Sequence, residues 1–448
     1  MARFFTRDEA RTITGKALSF SSADQARVNL SSGEEGNTRF AVNQVSTSGD
    51  VYDANLEVTS AFGKRVASAS TNRFDDDSIR RVVETSERLA RLVPENPEYM
   101  GELDPQRYPS VDALAAATAD LTPEERARMI TRVTEPAADR GLLSTGFLVH
   151  GARSQAVANS RGLFAYSPAS GANFTTTVRT PDGTGSGWAG AGSHDISDID
   201  IAALGRRAIE KAELSRDPRA VEPGRLTVIL EPTAVANLVS LMMFSMGARS
   251  ADEGRSFFSR QGGGNKIGER IVDERVTIIS DPAHPDLRGV PFNGEGLPNR
   301  RMTWIEDGVV RNLIYDRFWA DREGTQPTGF PAGYFMEGGD ATVDEMIRST
   351  ERGLLITRFW YIRGVDPRTI LYTGLTRDGT FLIENGSISH SVKNLRWNES
   401  PIFMLNNIEM MGTPTRVSPS ESSSASNSVL VPAIKARDFN FTSLSDAV

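Results

Sequence analysis

The sequence predicts an α+β protein with an N-terminal antiparallel sheet, covering helices and a C-terminal domain rich in short antiparallel strands. Near the N-terminus, apolar residues alternate with polar ones, which is typical of strands that have one covered face. In the C-terminal half, short apolar runs are separated by Asp-Gly and Asn-Gly pairs, which favour hairpin turns. A chain of 448 residues is too long for one compact core, so we expect several domains.

The first predicted domain spans residues 1–107 and combines a sheet with helices. A short helix is predicted over residues 7–18, and a second follows the acidic residues 75–77, with apolar residues at helical spacing. Between them lie the alternating segments, which contain Ala26, Val28 and Leu30, then Phe40 and Val42, then Leu56 and Val58. Glycines separate these segments, and we interpret them as turns: Gly33, Gly36, Gly49 and Gly63.

The second predicted unit, residues 108–220, is an α+β segment that packs with the first domain. Thr122, Pro123 and Glu125 form a helix start, because threonine caps, proline fits the first turn and glutamate closes a capping box. The helix is expected to reach about Arg140. Strands are predicted to follow this helix, and a further helix over residues 198–214 completes the unit.

The third predicted domain covers residues 224–448 and opens with a strand at 226–230 and a helix at about 233–246. Many short strands follow, with turns at Glu306-Asp307-Gly308 and Glu384-Asn385-Gly386. The serine-rich residues 418–428 are predicted to form an exposed loop.

Composition excludes several classes of function. The net charge of −8 argues against general affinity for nucleic acid or an anionic membrane, so we expect neither as a partner. The absence of cysteine rules out disulfides and thiolate ligands, and is compatible with a cytoplasmic location.

The N-terminus lacks the apolar core of a signal peptide, so secretion is not expected. Glu231, Pro232 and Asn237 interrupt the most apolar stretch, residues 226–248, which therefore indicates a buried strand and helix.

An ordered succession of short motifs runs along the chain. The N-terminal and middle motifs are Thr38-Arg39-Phe40-Ala41-Val42-Asn43-Gln44 and Ala158-Asn159-Ser160-Arg161-Gly162. The C-terminal motifs are Asp281-Pro282, Pro291-Phe292-Asn293-Gly294-Glu295-Gly296, Arg301, Ile305-Glu306-Asp307-Gly308, Gly353-Leu354, Thr373-Gly374, Ile383-Glu384-Asn385-Gly386 and Val392-Lys393. In this order and spacing, the chain resembles the TldD/PmbA metalloprotease family over nearly its whole length.

The resemblance implies a zinc-dependent peptidase system that acts on small or unfolded polypeptides. In that system a TldD-type catalytic subunit pairs with a TldE/PmbA-type subunit. The catalytic type carries an H-E-x-x-x-H motif, whose histidines bind zinc while the glutamate takes a proton from the metal-bound water. At the matching positions this chain has Ser240, Leu241 and Ser245. We therefore expect no catalytic or metal-binding residue here, and zinc only in a catalytic partner.

The leading hypothesis is a non-catalytic TldE/PmbA-like subunit that binds peptide and associates with a TldD-like subunit or with itself. Such a chain is expected to be inactive alone, and its substrate-binding residues are left open. One alternative is a stand-alone peptidase or hydrolase with its site outside the usual helix. Another is a homo-oligomeric protein that binds peptides without cutting them.

Other candidate sites are weak. The four histidines are His150, His194, His284 and His390, and none has another at metal-ligand spacing in the chain. Ser193-His194-Asp195 brings triad residue types together, yet neighbours in sequence rarely face one another, so a loop is favoured.

Two glycine-rich segments and two side-chain clusters also favour structural roles. The segment Gly262-Gly263-Gly264-Asn265-Lys266 lacks the spacing of a phosphate-binding loop and is predicted to be a flexible loop. Residues 183–192 lack a dinucleotide fingerprint and favour a hairpin or strand. Asp252, Glu253 and Glu295 offer oxygen ligands for a hard cation, although acidic loops are usually just solvated. Met242, Met243 and Met246 are predicted to pack in a core.

Overall fold

The computed structural model describes residues 4–331, 333–418 and 428–445 and shows an α+β fold, as predicted. The N-terminal half contains, in order, α1 (Arg7–Phe20), β1 (Gln25–Ala41), β2 (Gln44–Phe62), β3 (Arg65–Thr71), α2 (Asp76–Leu92), α3 (Ala116–Ala119), α4 (Pro123–Asp139), β4 (Leu143–Asn159), β5 (Phe164–Arg179), β6 (Ser186–Ser193) and α5 (Ile201–Leu214). Most of the predicted serine-rich loop, residues 419–427, lies outside the described residues.

The C-terminal half alternates short strands with short helices. Its first elements are β7 (Arg225–Leu230), α6 (Pro232–Phe244), α7 (Ala248–Asp252), β8 (Ile278–Ser280), β9 (Met302–Glu306), β10 (Val309–Val310), α8 (Arg317–Arg322), β11 (Phe335–Met336) and α9 (Val343–Arg348). The rest are β12 (Arg352–Asp366), β13 (Leu371–Glu384), β14 (Ser387–Ser391), β15 (Leu395–Glu399), α10 (Pro401–Asn406), β16 (Ile408–Met411), β17 (Thr415–Val417), β18 (Val429–Val431) and β19 (Ile434–Leu444).

One six-stranded antiparallel sheet, in the order β3-β2-β1-β4-β5-β6, unites strands from residues 1–107 with strands from residues 108–220. Helices cover one of its faces. Val28 and Leu30 on this face pack in a core with α1 and α2, and Phe40 near the other end of β1 packs in a core with α4 and α5. Capping boxes at Thr6 and Thr122 start α1 and α4, the second as the sequence predicted.

The prediction that Gly33, Gly36 and Gly49 mark turns was wrong, because all three lie within long continuous strands. The first two sit where neighbouring chain leaves no room for a side chain. A Cβ atom at Gly33 would lie 2.7 Å from the Cβ atom of Arg153, and one at Gly36 would lie 2.3 Å from the Arg126 guanidinium. Tight packing against β4 and against α4, which the sequence does not display, explains these two glycines.

The C-terminal strands form two further sheets around the largest core of the chain. One sheet has the order β10-β9-β8-β11-β18-β17, and the other contains β12-β7-β19-β15-β13-β14. Most of the pairs are antiparallel, while β7 with β12 and β11 with β18 run parallel. The hairpin turns predicted at Asp307-Gly308 and Asn385-Gly386 are confirmed, since all four residues have positive φ, as their turn type requires. No helix in the described ranges is long and apolar enough to cross a membrane.

The uncovered face of the six-stranded sheet meets the C-terminal domain. Phe292 packs against Val157 and Leu163 in a small shared core. Nearby, the Asn29 amide donates a hydrogen bond of 2.7 Å to the carbonyl oxygen of Gly294. The sheet therefore forms one wall of the space between the two halves of the molecule.

Candidate functional site

Helix α6 carries the positions at which the family resemblance locates a metal motif. The helix follows β7 directly. Glu231, the residue that precedes the helix, accepts a 2.7 Å hydrogen bond from the buried amine of Lys211. The helix is buried over most of its surface. Ser240 and Leu241 are partly exposed, and Phe244 is 67% exposed. These three residues therefore bring the C-terminal part of α6 to the surface.

The side chains at the motif positions do not fit zinc. The Ser240 hydroxyl lies 2.7 Å from the hydroxyl of the buried Tyr334, and burial raises the pKa of this phenol far above its usual range. Ser245 caps the end of α6 and donates a 2.8 Å hydrogen bond to the carbonyl oxygen of Leu241. Both hydroxyl groups already have protein partners, and the leucine side chain is apolar, so this set offers none of the usual zinc donors.

A cavity of about 480 Å³ lies beside this end of α6, between the six-stranded sheet and the C-terminal domain. Phe330, which lines the cavity, packs against Phe244 with ring centroids 5.2 Å apart. Ile314 also lines it, and its backbone pairs with Met246 just beyond the helix. The cavity thus adjoins the surface where the motif positions lie.

The walls of the cavity combine charged and apolar groups. Its full lining is Arg27, Asn29, Glu57, Asn293, Gly294, Glu295, Leu297, Ile314, Tyr315, Asp316, Arg317, Gly329 and Phe330. Arg27 is paired with Glu102 at 3.3 Å, and Arg317 with Glu295 at 3.5 Å. Asp316 accepts a hydrogen bond from the backbone of α8, where it caps the helix. Three carboxylates against two guanidinium groups leave the lining with an excess of negative charge.

This lining offers groups that can bind a ligand. Leu297, Ile314 and Phe330 offer contact area for apolar side chains, while the carboxylates can accept hydrogen bonds from amines. Serine and histidine, the residue types of a nucleophile and its base, are not among the lining residues. The sequence reasoning did not find this cavity. The sequence contains one indication of it, the alternation in β1. Arg27 and Asn29 alternate there with the apolar Val28 and Leu30, so they point to the face that the helices do not cover.

The four histidines do not converge on a site. His150 is buried between Thr118 and Arg126, and His284 packs against Phe335. His390 hydrogen-bonds to its neighbour Ser389. Over the described ranges, no group of three or more His, Asp or Glu side chains is arranged to hold a metal ion.

The loop interpretation of Ser193-His194-Asp195 is supported by its contacts. Ser193 ends β6 and donates a 2.8 Å hydrogen bond to the carboxylate of Asp198. Asp195 instead caps a short 3-10 helix through the backbone of Ser197. The three side chains therefore do not form a hydrogen-bonded relay of a catalytic triad.

The three carboxylates considered for a hard cation have separate partners. Asp252 accepts hydrogen bonds from Asn265 and Trp319, Glu253 pairs with two arginines, and Glu295 lies in the cavity beside Arg317. Residues 262–266 form a loop that Asn265 ties to Asp252.

The remaining two interpretations are confirmed. Residues 186–193 form strand β6, within the glycine-rich segment for which a hairpin or strand was predicted. Met242, Met243 and Met246 are buried in the main core, as expected.

Comparison with known proteins identifies the family. Three family models match consecutive parts of the chain: PmbA/TldA metallopeptidase domain 1 over residues 26–90, the central domain over 114–216 and the C-terminal domain over 223–443. The chain belongs to the PmbA/TldD family. It is a metallopeptidase-like member of that family, as its motifs suggested.

Individual relatives agree with this assignment. A metalloprotease of Methanothermobacter thermautotrophicus is 25% identical over 69% of this chain and 72% of its own length. The metalloprotease PmbA of Escherichia coli O157:H7 is 23% identical over 86% of this chain and 85% of its own. Among solved structures, TldE from Thermococcus kodakarensis shares the fold, with a TM-score of 0.86 and 18% identity over 97% of this chain and 99% of that one.

Proposed function

We propose that this chain is the non-catalytic, TldE/PmbA-like subunit of a two-subunit zinc peptidase system. Its role in this proposal is to hold small or unfolded polypeptides beside the active site of a TldD-like subunit. Zinc and the catalytic glutamate are supplied by that partner. A cytoplasmic location, compatible with the absence of cysteine, belongs to the same proposal.

The observation that carries the proposal is that the motif positions on α6 hold side chains that do not fit zinc. The family fold is retained around this helix, yet Ser240 and Ser245 hydrogen-bond within the protein and Leu241 offers no acceptor. A chain that keeps the fold without the ligands is suited to binding and support. The adjoining cavity supports a peptide-holding role, because it combines an apolar wall with negatively charged groups.

The proposal is tested with the purified chain and a motif-bearing subunit from the same source. Metal analysis of the chain alone is expected to find far less than one zinc per chain, since the donors at α6 do not fit. Peptide cleavage is expected only in the mixture, and a chelator is expected to abolish it. The control replaces the partner with a variant whose motif glutamate is glutamine, which is expected to bind the chain without cleaving.

Each competing function gives a different result in this experiment. Zinc-dependent cleavage by the chain alone would overturn the proposal. Chelator-resistant cleavage by the chain alone would identify a hydrolase with its site elsewhere. Tight peptide binding that the partner neither needs nor alters would instead indicate a protein that only captures peptides.

A further inference from the structure

The cavity beside α6 contains a carboxylate that the protein itself does not use. Glu57 lies on β2 and lines the cavity, while its neighbours Leu56 and Val58 pack on the opposite face of the sheet with α1 and α2. Glu57 is partly exposed, and across the described ranges no residue gives its carboxylate a hydrogen bond or an ion pair. Its charge is therefore available to a ligand.

The two arginines of the cavity lining are already engaged and do not supply this partner. The Nη1 atom of Arg27 pairs with Glu102 at 3.3 Å, and its Nε atom donates a 3.3 Å hydrogen bond to Asn29. The Nη1 atom of Arg317 donates a 2.8 Å hydrogen bond to the carbonyl oxygen of Gly101. Both guanidinium groups thus hold the segment of chain that follows α2.

The other two carboxylates of the lining also have partners within the protein. Glu295 lies 3.5 Å from the Arg317 guanidinium. Asp316 accepts a 2.7 Å hydrogen bond from the backbone of Trp319, at the start of α8. Of the five charged side chains that line the cavity, Glu57 is thus the one without a partner in the part of the chain that the structure describes. The lining is completed electrostatically by a positively charged group.

The same cavity offers an apolar surface to such a group. Leu297, Ile314 and Phe330 line it together with Glu57. Lysine and arginine pack their hydrocarbon stems along apolar surface, while their charged ends form strong hydrogen bonds with a carboxylate. The volume of about 480 Å³ lies within the range of ligand pockets, roughly 300–1,000 Å³. Size, apolar wall and unpaired carboxylate therefore all suit a charged end on an apolar stem.

We propose that this cavity selects polypeptide segments that carry a positive charge, and that Glu57 is the residue that selects them. The charge is the amine or guanidinium of a lysine or arginine side chain. A free amino terminus beside an apolar residue offers the same chemistry, and the experiment separates the two sources. The inference rests on the proposed peptide-holding function, which it extends by naming the class of substrate.

The test measures peptide binding to the isolated chain by fluorescence anisotropy. The probes are labelled peptides of alanine, serine and leucine, acetylated at one end and amidated at the other, with one central residue that is lysine, norleucine or glutamate. Norleucine keeps the stem of lysine without its charge. We expect the lysine peptide to bind about tenfold more tightly than the norleucine peptide, and the glutamate peptide to bind most weakly. A norleucine peptide with a free amino terminus tests the second source.

Variants of the chain assign the preference to Glu57. Glu57→Gln keeps the size of the side chain and removes its charge, so it is expected to bind the lysine and norleucine peptides equally well. Its affinity for the norleucine peptide is expected to match that of the parent. Glu57→Lys is expected to favour the glutamate peptide instead.

The matched control for these variants is Asp53→Asn. Asp53 is an exposed carboxylate four residues away on the same strand, so it lies on the same face of the sheet, but it is not among the residues that line the cavity. This variant removes the same charge and is expected to keep the preference of the parent. Circular dichroism confirms that each variant is folded before comparison.

Equal binding of the charged and uncharged peptides by the parent would overturn the inference while leaving the peptide-holding function intact. A preference that Glu57→Gln retains, or that Asp53→Asn reduces as strongly, would also overturn it. A parent that binds none of the peptides would overturn both the inference and the peptide-holding function. Because neither zinc nor a catalytic partner enters these measurements, their outcome is separate from the test of cleavage.

Discussion

The hydroxyl groups of Ser240 and Tyr334 lie 2.7 Å apart, and Ser240 is the residue that the family resemblance matches to the first histidine of the zinc motif. This contact connects α6 to the segment before β11. Tyr334 is buried and its phenol is held neutral, so the hydrogen bond satisfies a polar group that water cannot reach. Ser240 therefore has a structural role in the folded chain.

Removing this contact is expected to destabilise the fold. Ser240→Ala leaves the buried Tyr334 hydroxyl without this partner, and an unsatisfied buried polar group costs about 1–3 kcal/mol. The free energy of unfolding, measured by urea titration, is the test. Adding Tyr334→Phe removes the orphaned hydroxyl and is expected to recover part of the loss. Full additivity of the two substitutions would contradict the role of the hydrogen bond.

The buried pair between Arg358 and Asp378 is expected to matter far more than a surface pair. Asp378 also accepts a 2.6 Å hydrogen bond from Ser186, so it links β6 to the C-terminal domain. Asp378→Asn leaves the guanidinium of a buried arginine without its counter-charge, which typically costs about 3–5 kcal/mol. Urea titration measures the loss of unfolding free energy.

The matched control for the Asp378 variant is Asp104→Asn, which breaks the exposed pair with Arg161. Exposed pairs contribute at most about 1 kcal/mol, so this variant is expected to unfold almost like the parent. Equal losses in the two variants would show that burial does not set the importance of the Arg358–Asp378 pair.

The buried His150 is expected to make stability fall in mild acid. Burial, together with the nearby Arg126, lowers the pKa of this imidazole below its usual 6.5. One ring nitrogen lies 2.8 Å from the Thr118 carbonyl oxygen, so it donates there, and the other accepts from the Arg126 guanidinium. The unfolded chain therefore takes up a proton at higher pH than the folded chain. Stability is complete above about pH 6.5 and declines as the pH falls toward the lowered pKa.

The measurement for His150 is the unfolding free energy of the parent and of His150→Gln at pH 7.5 and pH 5.5. Glutamine can donate and accept hydrogen bonds but does not titrate. We expect the variant to lose less stability than the parent over this interval. An identical loss in both proteins would exclude His150 as a source of the pH dependence.

Phe330 is expected to contribute to peptide binding more than to folding. Its ring is 50% exposed in the cavity wall, so Phe330→Ala removes contact area for a ligand while leaving the core intact. We expect the affinity for a labelled unfolded peptide, measured by fluorescence anisotropy, to fall about tenfold, which corresponds to roughly 1.4 kcal/mol. Phe403→Ala, an exposed phenylalanine outside the cavity, is the control and is expected to bind like the parent.

Local signals in the sequence were sufficient for several parts of the fold. The capping box of Thr122 and Glu125 starts α4 because its hydrogen bonds join residues only three apart. The turn at Asp307-Gly308 likewise follows from the backbone preferences of two adjacent residues. The absence of histidine from α6 was also readable directly, since it needs no coordinates.

Tertiary structure decided what depends on residues distant in the chain. Gly33 was predicted to mark a turn, yet it lies within β1, which pairs with β2 and β4 on either side. The close approach of Arg153 from β4 explains why this strand position holds a glycine. The cavity beside α6 exists only because Asn29 and Phe330, some 300 residues apart in sequence, face the same space. Local hydrogen bonding and backbone preference can be read from neighbouring residues, whereas packing across the sheet and between domains requires the folded chain.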